Sequence, residues 1–426
     1  MKSLIQKLLK KLTYKVLANQ KPGIITITGS VGKTSTKEGI YFAIKGLGDV
    51  ERSQKNYNNE LGVPFTVALW GGKAPGKNII RWKLVFLRLI YFSIFKSKKY
   101  PKWLVLEIGS DGPGDLQNLM EMIPQGPLKA TVLTAVFGVH LEFFKNLEAI
   151  YQEKTTPFNY VAQDGLILVN ADNCDALRIK KEFGNKKTPI TNKNGEGARV
   201  ISYGFEKQAD IMAFDFKADE KGLNFGIKTP KGDYEFLLKE AISAYQCYPI
   251  LAGVGVALSL GVDVIQALKS LSEKEPMPGR MHLIEGINNS LIIDDTYNSS
   301  PEAVKYALKA LKELPRVGRK IAVLGDMLEL GEDSPKFHQE VGELAKSLGI
   351  DNLISFGKEA EFITGAQKHF LIHKQASDYL KNLIKPNDTV LIKGSQGVRM
   401  EKIVKEIMAQ PEKAKDLLVR QTDEWQ

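Results

Sequence analysis

Residues 24–35 read IITITGSVGKTS and carry the strongest structural signal in the chain. The first five are β-branched, which predicts a buried strand, and a glycine loop, a lysine and two hydroxyls follow. Residues 36–43 can begin a helix. A strand, a glycine loop and a helix suit phosphate, because backbone N–H groups and the helix N-terminus face the anion. The stretch therefore predicts a site for the phosphates of a nucleotide.

Two residues of this loop have defined roles in such a design. The amine of Lys33 reaches the terminal phosphates, and the hydroxyl of Thr34 holds Mg²⁺. The strict phosphate-loop pattern fails, since its first glycine would fall at Ile27, and the shorter form TGxxGKTS is what remains. The alternative is an ordinary glycine turn between a strand and a helix. The preceding strand and the Lys-Thr-Ser sequel favour the phosphate site.

Length and composition limit the class of protein. A chain of 426 residues predicts two or three domains with ample core. Its two cysteines, Cys174 and Cys247, cannot form a four-cysteine zinc site and argue against a disulfide framework. We therefore expect a protein of the reducing cytoplasm.

The net charge of +10 is concentrated in two stretches. Residues 1–21 carry six lysines, residues 73–102 carry nine basic residues, and neither stretch contains an acid. These fifteen charges exceed the total, so the rest of the chain carries a net charge of −5. The excess is local, and nucleic-acid binding is not expected.

Both basic stretches also contain apolar residues at helical spacing. Residues 1–18 predict a basic amphipathic helix, which either packs on the first domain or lies on a membrane surface. Residues 81–92 interleave aromatic, apolar and basic residues, which suits a helix in a membrane interface or a helix packed beside residues 1–18. The longest apolar stretch, residues 84–95, contains Arg88 and is too short to span a bilayer.

The rest of the chain alternates strand and helix patterns. An apolar strand that ends in an acid near a phosphate loop commonly supplies a metal-binding group. Glu107 stands at such a position, and Asn58 and Asn59 form part of an asparagine-rich turn. His140 belongs to a His-x-Glu sequence, which is weak evidence for a metal site by itself. The further predicted segments are strands at 104–109, 130–135 and 166–173, an antiparallel excursion at 198–240, a helix at 249–260 and a linker at 275–279.

Beyond the linker, strands and helices alternate in the manner of a doubly wound, Rossmann-like α/β domain. The predicted strands there are 291–295, 321–326, 353–357, 370–372 and 389–394. We therefore expect an α/β protein in which a central phosphate-loop ATPase domain precedes this second domain. The expected division is a helix at 1–21, a central domain at 22–275 with an insertion at 73–102, and a C-terminal domain at 276–426.

Taken together, these motifs resemble the Mur ligase family, the ATP-dependent amino-acid ligases of peptidoglycan synthesis. The segments that carry the resemblance are TGSVGKTSTKE (28–38), NYNNELGVP (56–64), LEIGSDGPGDL (106–116), HLEFF (140–144), VNADN (169–173), GRM (279–281), IDDTYNSSPEA (293–303), VLGDMLELGE (323–332) and VLIKGSQGVRME (390–401). They occur in the family order and cover roughly residues 20–410. As a set they are specific, although none is decisive alone.

The resemblance implies that a substrate carboxylate attacks the γ-phosphate of ATP and that an amine then attacks the acyl phosphate. It implies ATP and two Mg²⁺ ions as cofactors, with Lys154 carbamylated. The implied catalytic residues are Lys33, Glu107, His140, Lys154 and Arg280. The implied metal ligands are Thr34, Glu107, His140 and Lys154. The implied ATP site is Gly29, Ser30, Val31, Gly32, Lys33, Thr34, Ser35, Asn58, Asn59, Gln246, Arg280, Asp295 and Asn298.

The resemblance also implies the substrates, which would be a UDP-MurNAc-peptide and D-alanyl-D-alanine, with Lys393 and Arg399 at the amino-acid or dipeptide end. Three departures bear on this. First, only about twenty residues precede the phosphate strand, where the family carries a domain that binds the UDP-sugar. Second, residues 73–102 form an insertion between two strands that the family joins more directly. Finally, Gln246 can still contact adenine, but Pro249 cannot replace the asparagine of the family pattern.

Two alternatives follow from these departures. One is a Mur-type ligase that acts on another acceptor, such as a lipid-linked one. The other is a non-catalytic ATP-binding protein at the membrane surface. The presence of the implied site residues argues against it; they are Glu107, His140, Lys154, Arg280 and Asp295. In either case we expect a monomer that binds small molecules, and we expect its two basic stretches to contact anionic lipid at the inner membrane face.

Overall fold

The computed structural model describes residues 2–54, 57–71, 74–76, 78–138, 143–184, 198–219 and 222–421. Within these ranges the chain forms a nine-stranded sheet followed by a six-stranded sheet, and helices pack on both faces of each. The predicted fold class, a phosphate-loop α/β domain followed by a doubly wound α/β domain, is confirmed.

The part of the chain built on the first sheet, called the first lobe here, begins with a long helix. Its helices are α1 (Lys2–Gln20), α2 (Lys33–Ile44), α3 (Gly62–Val67), α4 (Ile79–Ile94), α5 (Asp115–Met120), α6 (Leu147–Thr155), α7 (Ala176–Phe183), α8 (Tyr248–Ser259) and α9 (Val264–Leu271). Its strands are β1 (Gly23–Thr28), β2 (Val50–Arg52), β3 (Trp103–Glu107), β4 (Leu128–Leu133), β5 (Leu166–Asn170), β6 (Arg199–Gly204), β7 (Ile211–Asp219), β8 (Gly222–Thr229) and β9 (Gly232–Lys239).

The second lobe is the part built on the second sheet. Its strands are β10 (His282–Glu285), β11 (Leu291–Asp295), β12 (Lys320–Gly325), β13 (Asn352–Phe356), β14 (Lys368–Phe370) and β15 (Thr389–Lys393). Its helices are α10 (Pro301–Glu313), α11 (Ser334–Ser347), α12 (His373–Leu383), α13 (Glu401–Ile407) and α14 (Ala414–Leu417).

The order of strands in the first sheet positions the phosphate loop. The order is β2-β3-β1-β4-β5-β6-β7-β8-β9, with β2 to β7 parallel and β8 and β9 added antiparallel. Strand β1 lies between β3 and β4, so the chain runs to one side of β1 first and to the other side afterwards. The carboxyl end of β1 is therefore a topological switch point, which is where ligands bind in open α/β sheets.

Strand β1 is buried on both faces, as its β-branched run predicts. Ile25 and Ile27 pack in the core beneath α2, α8 and α9, while Ile24 packs in the core beneath α1, α3 and α4. Thr26 is also buried, and its hydroxyl lies 2.8 Å from that of Thr131 on β4. The hydroxyl pair satisfies polar atoms that burial would otherwise penalise.

Helices α2 and α8 pack so closely that they require glycine where they meet. A Cβ added at Gly39 would lie 2.2 Å from the carbonyl oxygen of Pro249, and one added at Gly253 would lie 2.8 Å from the carbonyl oxygen of Gly39. These contacts involve backbone atoms, which cannot move aside as a flexible side chain can. The approach fixes α2, and with it the phosphate loop, against α8.

We expect Gly39→Ala to lower the free energy of unfolding by about 2 kcal/mol, measured by urea denaturation. Overpacking costs about 3 kcal/mol, and the better helix propensity of alanine returns about 1 kcal/mol. The control is Gly71→Ala, because no described atom lies within 4 Å of a Cβ at that position. Equal midpoints for Gly39→Ala and the unsubstituted protein would contradict the tight packing.

The N-terminal helix belongs to the first lobe. Leu9, Val16 and Leu17 of α1 are fully buried in the core that also contains Val85 and Leu89 of α4. Of the two alternatives drawn from the sequence, the packed helix is therefore the one that the structure contains. No helix within the described ranges has both the length and the apolar character needed to cross a bilayer.

Candidate functional site

The phosphate loop joins β1 to α2 and depends on two glycines. Gly29 has φ 140°, and a Cβ there would lie 2.1 Å from the hydroxyl oxygen of Thr134. Gly32 has φ 82° and immediately precedes α2. The backbone N–H of Ser30 donates to the carbonyl of Ala135 at 2.9 Å, which ties the loop to the end of β4. Only glycine tolerates these backbone angles without strain.

Lys33 bends back over this loop. Its amine donates to the carbonyl oxygens of Gly29 at 2.7 Å and Ser30 at 3.3 Å. Burial lowers the pKa of Lys33, and the charge of Arg280 from the second lobe adds to the lowering, while Glu107 opposes it. The amine therefore occupies the position from which it could meet terminal phosphate oxygens.

Glu107, at the end of β3, lies beside Thr34 as the sequence pattern predicts. One carboxylate oxygen accepts hydrogen bonds from the Thr34 hydroxyl at 3.1 Å and from the Asn58 amide at 3.3 Å. The other oxygen has no hydrogen-bond partner among the described residues and lies 3.8 Å from the amine of Lys37. Hydroxyl, amide and carboxylate oxygens suit Mg²⁺, and a carboxylate oxygen without a hydrogen-bond partner could serve as a ligand of the ion.

Lys37 is a site residue that we did not single out from the sequence. It is buried, and its amine donates to the carbonyl of Ser53 at 2.7 Å while facing Glu107. Burial lowers its pKa, and the neighbouring carboxylates of Glu107 and Glu38 oppose that effect. The available signal was its spacing, since residues four apart share one face of a helix and Lys33 begins α2.

Lys154, near the end of α6, is almost completely buried at 1% exposure. Its amine donates to the hydroxyl of Ser110 at 2.7 Å, in the loop that follows Glu107. Burial lowers the pKa of Lys154 to about 7, and the charge of Lys33 contributes to the lowering. The neutral amine is therefore far more abundant near neutral pH than it is in an ordinary lysine, whose pKa is about 10.4.

Of the two residues implied for a second metal ion, Lys154 is described above, and His140 lies outside the described residues. Within the described ranges, no three His, Cys, Asp or Glu side chains form a group that could hold a metal ion.

The second lobe supplies the opposite wall of the site. Arg280 stacks over the ring of Tyr297 with its guanidinium 4.0 Å from the ring centre. Asp295 accepts a hydrogen bond from the amine of Lys393 at 2.6 Å, and that amine also donates to the carbonyl of Asn298 at 3.0 Å. Lys393 is thus bound to the acid at the end of the neighbouring strand β11.

We expect Lys393→Met to lower the free energy of unfolding by about 3 kcal/mol, because it leaves Asp295 without its buried partner. The matched control is Lys374→Met, which breaks an exposed pair with Asp378 and should cost less than about 0.5 kcal/mol. Urea denaturation of both variants tests the difference. Similar small losses in the two proteins would show that the buried pair contributes nothing.

Arg399 and Asn59 are both engaged in local contacts. The Arg399 guanidinium donates to the carboxylate of Glu401 at 2.5 Å, and Glu401 is itself fully buried. The side-chain oxygen of Asn59 accepts hydrogen bonds from the N–H groups of Leu61 and Gly62 at 3.2 and 3.0 Å. Asn59 nevertheless lines the cleft, whereas Arg399 is not among its lining residues.

The cleft between the lobes has a volume of about 660 Å³. The phosphate loop, Asn58, Glu107 and Ser110 line one side, and Arg280, Asp295, Asn298 and Lys393 line the other. Most of the residues implied for ATP and metal binding are therefore brought together. Polar and charged groups dominate its walls, which suits a triphosphate and a polar acceptor.

A second, smaller cavity of about 250 Å³ adjoins the cleft and contains Gln246. The two cavities share Val31 and Gly32 of the phosphate loop, and Ser35 lines the smaller one. The side-chain oxygen of Gln246 accepts hydrogen bonds from the N–H groups of Ile242 and Ser243, which leaves its NH₂ group for a ligand. A largely apolar cavity beside a phosphate loop suits a purine base.

The two lobes also contact each other at the wall of this smaller cavity. Tyr306 of α10 stacks on Tyr245 with ring centres 4.0 Å apart, and its hydroxyl donates to the side chain of Asn173 at 2.7 Å. None of the three residues was singled out from the sequence as a contact. No local pattern could reveal them, because Tyr306 and Asn173 are 133 residues apart.

Comparisons with known proteins show which family the two lobes match. A model of the Mur ligase middle domain matches residues 90–257, and a model of the Mur ligase glutamate ligase domain matches residues 279–396. Together the two models cover about two thirds of the chain, with the boundary between them close to the predicted linker at 275–279.

Individual relatives match over most of the chain. The UDP-N-acetylmuramoyl-tripeptide–D-alanyl-D-alanine ligase of Escherichia coli is 28% identical over 90% of this chain and 76% of its own length. The ligase of the same name from Bacillus subtilis is 27% identical over 91% of this chain and 76% of its own length. The chain thus spans about three quarters of each.

A solved structure of similar fold comes from Thermotoga maritima. That protein, a MurF ligase in complex with ADP, has a TM-score of 0.77 and 27% identity, and the match covers 96% of this chain and 84% of the other. On the fold, the site and these matches, the chain belongs to the Mur ligase family.

Proposed function

We propose that this protein is an ATP-dependent amide ligase that adds D-alanyl-D-alanine to a UDP-MurNAc-tripeptide. The observation that carries the proposal is the cleft, in which a phosphate loop with Thr34 and Glu107 faces Arg280 and Asp295 across the two lobes. A ligase of this kind needs positive charge and a metal ion around a triphosphate more than it needs a nucleophilic side chain. The names of the relatives supply the substrates.

In this proposal ATP extends from the cleft into the smaller cavity. Residues 29–35 hold the phosphates, with the amine of Lys33 on the β- and γ-phosphate oxygens, and Asn58 and Asn59 lie beside them. The base enters the smaller cavity, where the NH₂ group of Gln246 faces it. Arg280 meets the γ-phosphate, and Asp295 and Asn298 lie on the ribose side.

The reaction proceeds in two displacements. A carboxylate oxygen of the acceptor attacks the γ-phosphorus, the bond to the bridging oxygen breaks, and ADP leaves. The amine of the incoming dipeptide attacks the acyl carbon, loses a proton, and expels phosphate. Lys33 and Arg280 stabilise the negative charge on the transferred phosphoryl group.

Mg²⁺ would shield the phosphate charge, and Thr34 and Glu107 are the residues that would hold it. We place a second Mg²⁺ with His140 and Lys154, the latter as its carbamate. A carbamate supplies carboxylate-like oxygens, which a hard cation prefers to an amine. Lys154 suits this chemistry because its buried amine loses its proton easily.

The two lobes have distinct parts in the proposal. We assign ATP binding to residues 22–275 and the dipeptide end to residues 276–426, with the helix at 1–21 on the first lobe. We assign Arg399 to the dipeptide end, whereas Lys393 acts by holding Asp295 in place on the ribose side. We also propose the cytoplasm as the compartment, at the inner face of the membrane, since ATP is available there and both cysteines are buried as free thiols.

The test is ATP-dependent phosphate release with UDP-MurNAc-tripeptide and D-alanyl-D-alanine, followed by mass analysis of the product. We expect a UDP-MurNAc-pentapeptide, one mole for each mole of phosphate. Phosphate release that is the same with and without the acceptor would contradict a ligase.

A second candidate is a ligase for a lipid-linked acceptor. The observation that favours it is Gln6 of α1, which lines the cleft and donates to the carboxylate of Glu60 at 2.6 Å. A helix from the N-terminal stretch thus contributes to the wall beside the acceptor. Turnover with a lipid-linked muropeptide and none with the nucleotide-linked one would select this candidate, and no turnover with either would favour the non-catalytic alternative.

A further inference from the structure

Helix α4 carries an exposed row of large apolar side chains on its outer face. Ile80, Leu84, Leu87, Tyr91 and Ile94 are between 46% and 70% exposed, and we call them the apolar stripe. Their spacing of three or four residues places them on one side of the helix. They extend over about 21 Å at 1.5 Å per residue.

The opposite face of α4 already holds the helix in the first lobe. Val85 and Leu89 are fully buried, and the side-chain amide of Gln20 in α1 donates to the carbonyls of Phe92 and Phe95 at 2.6 and 2.7 Å. A helix that is apolar on both sides is normally covered on both sides. Soluble monomers rarely expose large contiguous apolar patches, and such patches commonly mark interaction surfaces.

Positive charge is concentrated in the two stretches of chain that contain α1 and the apolar stripe. The residues 1–21 and 73–102 contain fifteen basic residues and no acid. The exposed lysines among the described residues of these stretches form what we call the basic rim, which consists of Lys7, Lys11, Lys15, Lys21, Lys83, Lys96, Lys98, Lys99 and Lys102. Lys10 pairs with Glu121, whereas none of the basic-rim lysines forms a salt bridge within the described residues.

The charge decides between the surfaces that could cover the apolar stripe. A second copy of this chain would bring two basic rims together, which repulsion opposes. A nucleic acid would neutralise the lysines but would leave the apolar side chains without a partner. An anionic bilayer satisfies both, since apolar side chains enter the boundary between headgroups and acyl chains while lysines meet the headgroups.

We propose that the apolar stripe and the basic rim dock this protein on an anionic lipid surface, with α4 lying in the plane of the bilayer. The docking itself does not depend on the proposed ligase function; only the consequence for the acceptor rests on it. Since α1 packs on α4 and contributes Gln6 to the cleft, docking would fix one wall of the cleft to the membrane on which a lipid-linked acceptor is carried.

The test is co-sedimentation of the full chain with vesicles of phosphatidylcholine alone or mixed with phosphatidylglycerol. We expect binding to the anionic vesicles, weakened by salt, and at least tenfold weaker binding to the neutral ones. Leu84→Glu combined with Leu87→Glu should weaken binding to anionic vesicles at least tenfold. Leu371→Glu is the matched control, because Leu371 on the second lobe is 62% exposed, against 60% for Leu87, and it should bind normally.

A second set of variants tests the charge. Replacing Lys7, Lys11 and Lys15 together by glutamine should also weaken binding at least tenfold. The same change at the exposed lysines 402, 405 and 413 of the second lobe should have little effect. Phosphate release with soluble substrates should be unchanged in all these variants, which separates failure of docking from failure of the proposed catalytic function.

Several results would overturn the proposal. They are equal binding to both kinds of vesicle, no binding to either, and unchanged binding of the Leu84→Glu, Leu87→Glu protein. Binding to RNA without binding to vesicles would also overturn it. So would a dimer in sedimentation velocity that the glutamate substitutions dissociate, since the stripe would then be a contact between copies.

Discussion

Lys33→Ala is expected to lower kcat for ATP-dependent phosphate release by on the order of 10³-fold. The Lys33 amine already lies over the phosphate loop, 2.7 Å from the carbonyl oxygen of Gly29. Lys33 is also the first residue of α2, the helix that follows the loop. Removing one positioned donor from a site where negative charge develops typically costs 10²- to 10³-fold, and a lost charge costs at least as much. Steady-state kinetics with saturating Mg²⁺ measure the change.

The fold should survive this substitution, since the Lys33 amine donates only to carbonyls of its own loop in the contacts described. Thermal unfolding of the variant checks that point. The control is Lys45→Ala, which removes an exposed lysine at the other end of the same helix and should leave kcat unchanged. Undiminished turnover by Lys33→Ala would contradict the assignment of the loop to ATP.

Lys154→Met is expected to reduce kcat by on the order of 10²-fold or more, and removal of dissolved CO₂ should reduce the activity of the unsubstituted protein similarly. In carbamate formation the neutral amine nitrogen attacks the carbon of CO₂ and a C–N bond forms as one C–O π bond gives its electron pair to oxygen. The nitrogen then loses a proton to solvent. The pKa of Lys154 is lowered to about 7, so the reactive neutral amine accumulates as the pH rises through 7. An ordinary lysine would require a pH near 10.5.

The bicarbonate-dependent part of the activity should therefore rise between about pH 6 and pH 8. Lys145→Met is the control, because Lys145 is an exposed lysine of the preceding segment and should respond normally to bicarbonate. Mass analysis of the rapidly quenched protein should show the added carboxylate on Lys154. Full activity in CO₂-free buffer would contradict the carbamate.

The same lowered pKa has a consequence for stability. Between about pH 7 and pH 10.5 the unfolded chain holds a proton on Lys154 that the folded, unmodified protein does not hold. The free energy of unfolding should therefore gain from this residue as the pH rises through that window, and the penalty for burying the charged amine is fully present below pH 7. Urea denaturation without CO₂ measures the change in the free energy of unfolding between pH 7 and pH 9. That change should be smaller for Lys154→Met than for the unsubstituted protein.

The strongest features of the site could be predicted because their signals are local. A β-branched run predicts a strand wherever it occurs, and glycines at positions 29 and 32 predict backbone angles that other residues avoid. The acid at the end of β3 follows from the same logic, since parallel strands bring their carboxyl ends to one edge. Thr34 and Glu107 are 3.1 Å apart although they are 73 residues apart in sequence.

Other expectations depended on which surfaces meet, and the residues alone left them open. The sequence of residues 81–92 allowed a packed helix or an interfacial one, and α4 has a buried face and an exposed apolar face at once. Lys393 was expected at the dipeptide end, yet its closest partner is Asp295. The sequence shows which residues are charged, but it does not show which of several oppositely charged residues each one will pair with.

Local order in the sequence was therefore enough to establish the strands, the helices, the phosphate loop and the family, because each depends on residues within a few positions of one another. The pairing of Lys393 with Asp295, the contact of Tyr306 with Asn173, and the approach of Lys37 to Glu107 required the folded chain. These contacts join residues 70 to 133 positions apart. Packing of the sheets and lobes selects such partners, and no periodicity in the sequence records that choice.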